Sequence, residues 1–201
     1  DDWRRPFMVQ LNDEGALQWG VLQLVQANGY WTATGSVLWN TYTAIDRSVN
    51  SAGDDVYAIV GRTARGTPGS AFCQYYVEPH TTGGPVAPTW TRSISDEPTS
   101  FPLHSADMPN LTTDVAFHGS AAQQRIVWPV VRNLVTVPPD PTPHKGEGVV
   151  YLLDPAANGT VQTTRDLNEM HAFDLQLGVA SLADGNLAVC GVTFCWPLPW
   201  N

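Results

Sequence analysis

One lysine and five glutamates serve the whole of this 201-residue chain. That scarcity constrains the fold more than any motif does. A surface helix fills its wet face with Lys, Glu, Gln and Ala, which lose little rotamer freedom there. Here Lys145 stands beside nine arginines, fourteen Asp outnumber Glu, and Val (21) and Thr (19) abound. β-Branched residues suit a pleated surface better than a helical turn. A helical bundle or coiled coil is therefore excluded, and an α/β enzyme with outer helices is disfavoured. Eight Trp and 43% apolar residues exclude disorder. Seventeen Gly and sixteen Pro supply turn chemistry. The expectation is an all-β protein: a single antiparallel β-sandwich or barrel domain over residues 1–201, with long Pro-rich loops. A chain of this length buries roughly 70% of its unfolded surface, so it needs no metal or disulfide staple.

The net charge of −9 removes further classes. Ten cations scattered among nineteen acids offer no basic face for phosphates, which argues against nucleic acid and anionic membranes as partners. The longest apolar runs, such as Val149–Leu153, are too short to cross a bilayer, so no membrane insertion is expected. No basic segment precedes an apolar one as in a signal peptide. The chain opens on Asp1-Asp2-Trp3 and closes on Pro199-Trp200-Asn201, which reads as a domain excised from a longer polyprotein. Cys73, Cys190 and Cys195 are odd in number and lack the CxxC spacing of a zinc site. Reduced thiols are expected, as in a protein made in the cytoplasm.

Alternation and turn signals place the strands. Residues 17–25 read as a strand, followed by Asn28-Gly29, a strong hairpin signal, and a partner over 30–39. Buried-strand runs follow at 56–60 and 71–77. Between 79 and 114 Pro and Gly punctuate a Thr- and Ser-rich stretch in which only 89–94 alternates as a short strand. Strands resume at 115–117 and 125–131, where Pro129 implies an edge or a bulge. A second Pro-rich loop spans 137–144. Asn158-Gly159 joins strands at 148–153 and 160–164, residues 166–170 suit one helical turn, and Asp184-Gly185-Asn186 joins 172–182 to 187–194.

No motif carries a complete chemistry. Gly61–Thr67 follows a strand as a phosphate loop does, but Thr67 stands where lysine is needed. Ala188-Val-Cys190-Gly191 approaches the nucleophile motif of a chymotrypsin-like viral cysteine protease. His80 or His104 and Asp107 or Asp114 precede Cys190 in the right order. Ala188 replaces the motif's first glycine, however, and Cys190 follows a tight turn inside a strand, where a small core side chain is the simpler reading. Asp114 and His118 lie four apart, which in a β-strand does not bring them to one ion. The sequons at Asn110 and Asn158 read as coincidence and as a turn. The expectation is a non-enzyme with no cofactor, no metal ligands and no catalytic residues.

Aromatic residues beside loops are the better candidates for binding. Trp90, with Arg92, Asp96, His104 and Asp107 after it, could stack on a sugar ring and bind its polar groups, or anchor a protein interface. Trp196 and Trp200, in a Trp/Pro tail, suit a homodimer patch.

The Gly29-Tyr30-Trp31 hairpin, the Pro-rich middle and the 175–194 hairpin together resemble the capsid spike, or protruding domain, of astroviruses, and of the avian group in particular. The resemblance implies a dimeric spike on the virion surface of a non-enveloped particle, synthesised in the host cytoplasm. It also implies a site for a host-cell receptor, glycan or protein, and epitopes for neutralising antibodies on the outer loops. A carbohydrate-binding β-sandwich module and the cysteine protease are the alternatives.

Overall fold

A computed structural model of the chain describes residues 7–22, 39–64, 70–78, 88–93, 112, 114–134, 145–167 and 173–194. Their strands are β1 (Phe7–Leu11), β2 (Leu17–Leu22), β3 (Trp39–Val49), β4 (Asp55–Ala64), β5 (Ser70–Glu78), β6 (Trp90–Ser93), β7 (Ala116–His118), β8 (Arg125–Leu134), β9 (Lys145–Asp154), β10 (Thr160–Asp166), β11 (Phe173–Ser181) and β12 (Leu187–Phe194). Two single 3-10 turns, at Ala121–Gln123 and Pro155–Ala157, accompany them, with no α-helix among the described residues. Every ladder is antiparallel. The strands form two four-stranded sheets, β3-β4-β5-β6 and β10-β9-β8-β7, and two two-stranded hairpins, β1-β2 and β11-β12. The all-β expectation holds, as a sandwich and not a closed barrel.

The alternation of each strand builds the core. Val56, Ala58 and Val60 of β4 and Cys73 and Tyr75 of β5 face Ile126, Trp128 and Val130 of β8 and Val149, Tyr151 and Leu153 of β9 in one buried cluster. Trp128 and Tyr151 meet at 5.6 Å between ring centroids. The opposite face of the first sheet is buried too, at Tyr57, Ile59 and Tyr76. This explains why 56–60 reads as an unbroken apolar run rather than an alternating one. On the outer face of the second sheet, Ala116, Val127 and Val150 are buried where β11 packs across β7, β8 and β9.

One expectation needs correction, and two fall partly outside the described residues. β8 is an interior strand despite Pro129. β7 is only three residues long and ends at the Ala116–Val127 pair, so the β7 side of β8 is open at Pro129. Thr112 Oγ1 donates to Pro129 O on that side, and the missing N–H removes no ladder bond. Second, β2 pairs with β1, a strand whose five residues carry no alternation. The Asn28-Gly29 turn and residues 30–38 lie outside the described residues. Third, β10 continues through Asp166 where a helical turn was expected; residues 168–170 lie outside the described set.

Three side-chain bonds fix how the sheets are aligned. Thr43 Oγ1 donates to Thr112 O (2.8 Å), Asp46 Oδ2 accepts from Phe117 N (2.7 Å), and Gln124 Nε2 donates to Ser48 Oγ (2.7 Å). They run in step, so β3 and β7 point the same way. The tight turns at 50–54, 119–124 and 155–159 thus share one pole of the sandwich. Trp39, the Ala64/Ser70 ends and the Leu134/Lys145 pair mark the other.

Candidate functional site

Strand β6 divides the Pro-rich stretch in two. β5 ends at the pole of tight turns, whereas β6 ends toward the opposite pole and β7 begins on the side that faces it. Connections 65–69 and 135–144 leave from that same pole. The strand ends gather there, while most of the Pro-rich sequence between them lies outside the described residues.

Trp90 anchors the start of β6, the strand that leads into 94–111, to the 155–159 turn at the pole of tight turns. Its side chain is 8% exposed. It stacks on Tyr75 with centroids 5.4 Å apart and planes 17° from parallel, and Nε1 donates to Pro155 O at 3.0 Å. The ring also covers Gly159, which lies in the left-handed region at φ +69° behind Asn158 at φ +54°. Any side chain at 159 would enter the ring. Arg92 completes the clamp, with Nε donating to Gly159 O (3.0 Å) and Asn158 O (3.3 Å). Trp90 and Arg92 are therefore joints between the sheets. The Trp90 face is not available for stacking on a sugar.

Thr112 clamps the returning stem. It is buried, donates Oγ1 to Pro129 O (3.0 Å), accepts from Trp128 Nε1 at the same oxygen (3.0 Å), and offers its carbonyl to Thr43. A second buried indole thus holds the far end of the connection. This assigns the threonine of the Asn110 sequon a structural task; Asn110 itself lies outside the described residues. The Thr112 clamp had no sequence signal, because its partners are 17 and 69 residues away.

Asp96, His104 and Asp107 follow Ser93 within the connection and lie outside the described residues, as do Trp196 and Trp200. The clamps bring the two ends of their segment onto a rigid frame.

Cys190 is exposed and sits in mid-strand opposite Gly178, not in a core position as its sequence context suggested. A Cβ on Gly178 would lie 3.0 Å from Cys190 Sγ and 3.6 Å from Asp114 Oδ2, so thiol and carboxylate share one side of the β11-β12 hairpin. Asp114 Oδ2 is occupied by Val179 N (2.8 Å). His118 Nδ1 bonds Ser181 Oγ (2.9 Å), and Ser181 is of opposite parity to Gly178 and faces the other side. Thus Asp114 and His118 do not converge on Cys190. His80 and His104 lie outside the described residues. No group of His, Cys, Asp and Glu that could hold a metal occurs among the described residues.

On the far face of the first sheet, the Tyr42 hydroxyl donates to Gln74 Oε1 (2.8 Å) and Tyr76 reaches the same oxygen (3.1 Å), while Gln74 Nε2 donates to Thr91 Oγ1 (3.3 Å). Burial pushes the Tyr42 phenol up to about 12 and raises that of Tyr76 as well. Burial also raises the Cys73 thiol, so it behaves as a small apolar group. Tyr42, Tyr76, Gln74 and Thr91 thus pair with one another.

No family model matches the chain, and neither a curated protein nor a solved structure does.

Proposed function

We propose that the chain is a surface projection of a non-enveloped virus capsid. It attaches the particle to a host-cell receptor, a glycan or a protein, and carries antibody epitopes without catalysing a reaction. The observation that carries the proposal is the pair of buried indoles that anchor the segments flanking 94–111, Trp90 within β6 and Trp128 on Thr112. Recognition surfaces are commonly irregular connections held on a rigid scaffold. Here a buried sandwich delivers the stems of 94–111, 65–69 and 135–144 to one pole. Asp96, His104 and Asp107 are the proposed contact residues, with Trp90 and Arg92 as positioning residues behind them. The astrovirus-like sequence pattern supports the same reading.

Competition tests it. The purified domain, added in excess to susceptible cells, should block attachment of the particle, and antisera raised against it should do the same. Undiminished attachment in the presence of saturating domain would overturn the proposal.

A further inference from the structure

Asn-Gly is the dipeptide at which a chain most readily modifies itself, because glycine has no Cβ to shield its own amide nitrogen. That nitrogen attacks the asparagine side chain. A bond forms from glycine N to asparagine Cγ, the Cγ–Nδ2 bond breaks, and ammonia leaves with the amide proton. Water then opens the cyclic imide at one of its two carbonyls, giving aspartate or isoaspartate. Asn158-Gly159 is such a pair. Asn158 is exposed, and Gly159 is buried under the Trp90 ring. The turn nevertheless holds the pair out of reaction. Asn158 lies at φ 54° and ψ 39°. With ψ there, the Gly159 nitrogen stands nearly half a turn from Cβ about the Cα–C bond. Ring closure needs the two eclipsed, so the nitrogen faces away from the carbon it would attack. Its N–H donates to Asp154 O at 2.9 Å. The carbonyl of the same peptide unit, Asn158 O, accepts from Arg92 Nε at 3.3 Å, and Gly159 O accepts from the same nitrogen at 3.0 Å. A planar unit tied at both its N–H and its C=O cannot rotate into the reactive geometry without losing both bonds.

We propose that Asn158 is a latent site of self-modification, closed in the folded chain by Arg92, Asp154 O and Trp90 and opened only when the 155–159 turn comes away from β6. Turns open locally at a lower free energy than the whole domain unfolds, so the site reports on this turn rather than on the sandwich. Arg92 is its positioning residue, since it holds the peptide unit that must rotate. The isoaspartyl product makes the step one-way. It puts an additional methylene into the backbone of a turn that Gly159 N closes on Asp154 O, under a ring with no room to spare. The lengthened turn cannot restore both the Asp154 bond and the seat of Gly159 beneath Trp90. Aspartate adds no backbone atom and tolerates the left-handed region, so it keeps both. The inference rests on the turn alone and is independent of receptor attachment.

Tryptic peptide mapping by mass spectrometry reads the site without ambiguity. Residues 146–165, between the cleavage points at Lys145 and Arg165, contain Asn158 and no other asparagine. In mildly alkaline buffer the folded full chain should convert at Asn158 about tenfold or more slowly than the same chain in urea, because only the open fraction reacts. Arg92→Ala, held at a temperature where circular dichroism shows it folded, should convert severalfold faster than the wild type. Thr112→Val, which weakens the sandwich without touching this turn, should convert at the wild-type rate when held folded in the same way. Asn158→Asp should melt with the wild type, whereas chains aged in urea and then refolded should leave their isoaspartate in the unfolded fraction. Equal rates in the folded and urea-unfolded chain, an unchanged rate in Arg92→Ala, or an equal acceleration in Thr112→Val would overturn the gate. Isoaspartyl chains that refold to the wild-type melting temperature would overturn the one-way step.

Discussion

Gly159→Ala adds one methyl group at a turn where the structure has no room for it. The new Cβ would stand 2.6 Å from Cζ3 and 2.8 Å from Cε3 and Cη2 of Trp90. Two costs follow. A side chain in the left-handed region costs about 1–2 kcal/mol. Forcing a methyl into a packed core costs about 1–3 kcal/mol more. The ring has little freedom to yield, since Tyr75 lies against its face and its Nε1 is bonded to Pro155 O. The expected loss is about 2–5 kcal/mol, a large part of the roughly 5–15 kcal/mol that holds a domain together. At about 2–4 °C per kcal/mol for a chain of this size, the melting temperature falls visibly. Urea unfolding followed by far-UV circular dichroism measures the loss in a double-mutant cycle with Trp90→Ala. That variant costs about 3–5 kcal/mol by itself. With the ring gone, Gly159→Ala should cost only its backbone share of about 1–2 kcal/mol, leaving a coupling of about 1–3 kcal/mol. Additive losses would show that the ring does not seal the turn, and would refute the clamp at this stem.

Thr112→Val keeps the shape of the side chain but leaves Trp128 Nε1 without its acceptor and Pro129 O without its donor. Each unpaired buried group costs about 1–3 kcal/mol, so urea stability should drop by about 2–6 kcal/mol, while Thr112→Ser recovers most of it. Stability should be flat from neutrality to about pH 8, begin to fall near pH 9 where the buried Cys73 thiol ionises only in the unfolded chain, and fall more steeply as pH climbs from about 10 toward 12. The Tyr42 phenol, at about 12, and the raised Tyr76 phenol keep their protons when folded and lose them near 10 when unfolded, so the unfolded chain gains from alkali. Tyr42→Phe should blunt that fall in a melting series at rising pH. Alanine at Asp96, His104 or Asp107 should weaken cell attachment with the melting temperature unchanged, whereas Arg92→Ala should lower the melting temperature.

Strand composition made the fold class legible, apolar runs located β4, β5, β8 and β9, and period-two alternation located the last hairpin. β3 escaped notice because a bulge at Tyr42/Ala44 breaks its alternation and because Asp46 and Arg47 look like a turn. In the structure Asp46 is instead the acceptor that ties β3 to Phe117 N across the sandwich edge. Trp90 shows the limit for sites. A tryptophan among Thr and Pro reads equally well as a binding platform or as a cap. Only Pro155 and Gly159, more than sixty residues later, decide that it is buried. The sequence hid the role of Pro129 as well, because its tolerance depends on how short its neighbour β7 is. Cys190 erred the other way: a small residue between Val189 and Gly191 suggests a core position, but the strand carries it clear of the core.

The clamps also explain why so much proline can be tolerated between β6 and β7. Closing a loop costs little more as it lengthens, about 0.6 kcal/mol for each doubling. A buried indole at a stem is worth several times that. By these magnitudes a lost anchor at Trp90, Arg92 or Thr112 costs the sandwich more than added length in the connection they flank. A catalytic site is constrained differently, because its groups must hold productive geometry to within about 0.5 Å through many supporting contacts. Under the proposed function, anchored strands on either side of a long connection are the arrangement expected of a surface that other molecules recognise.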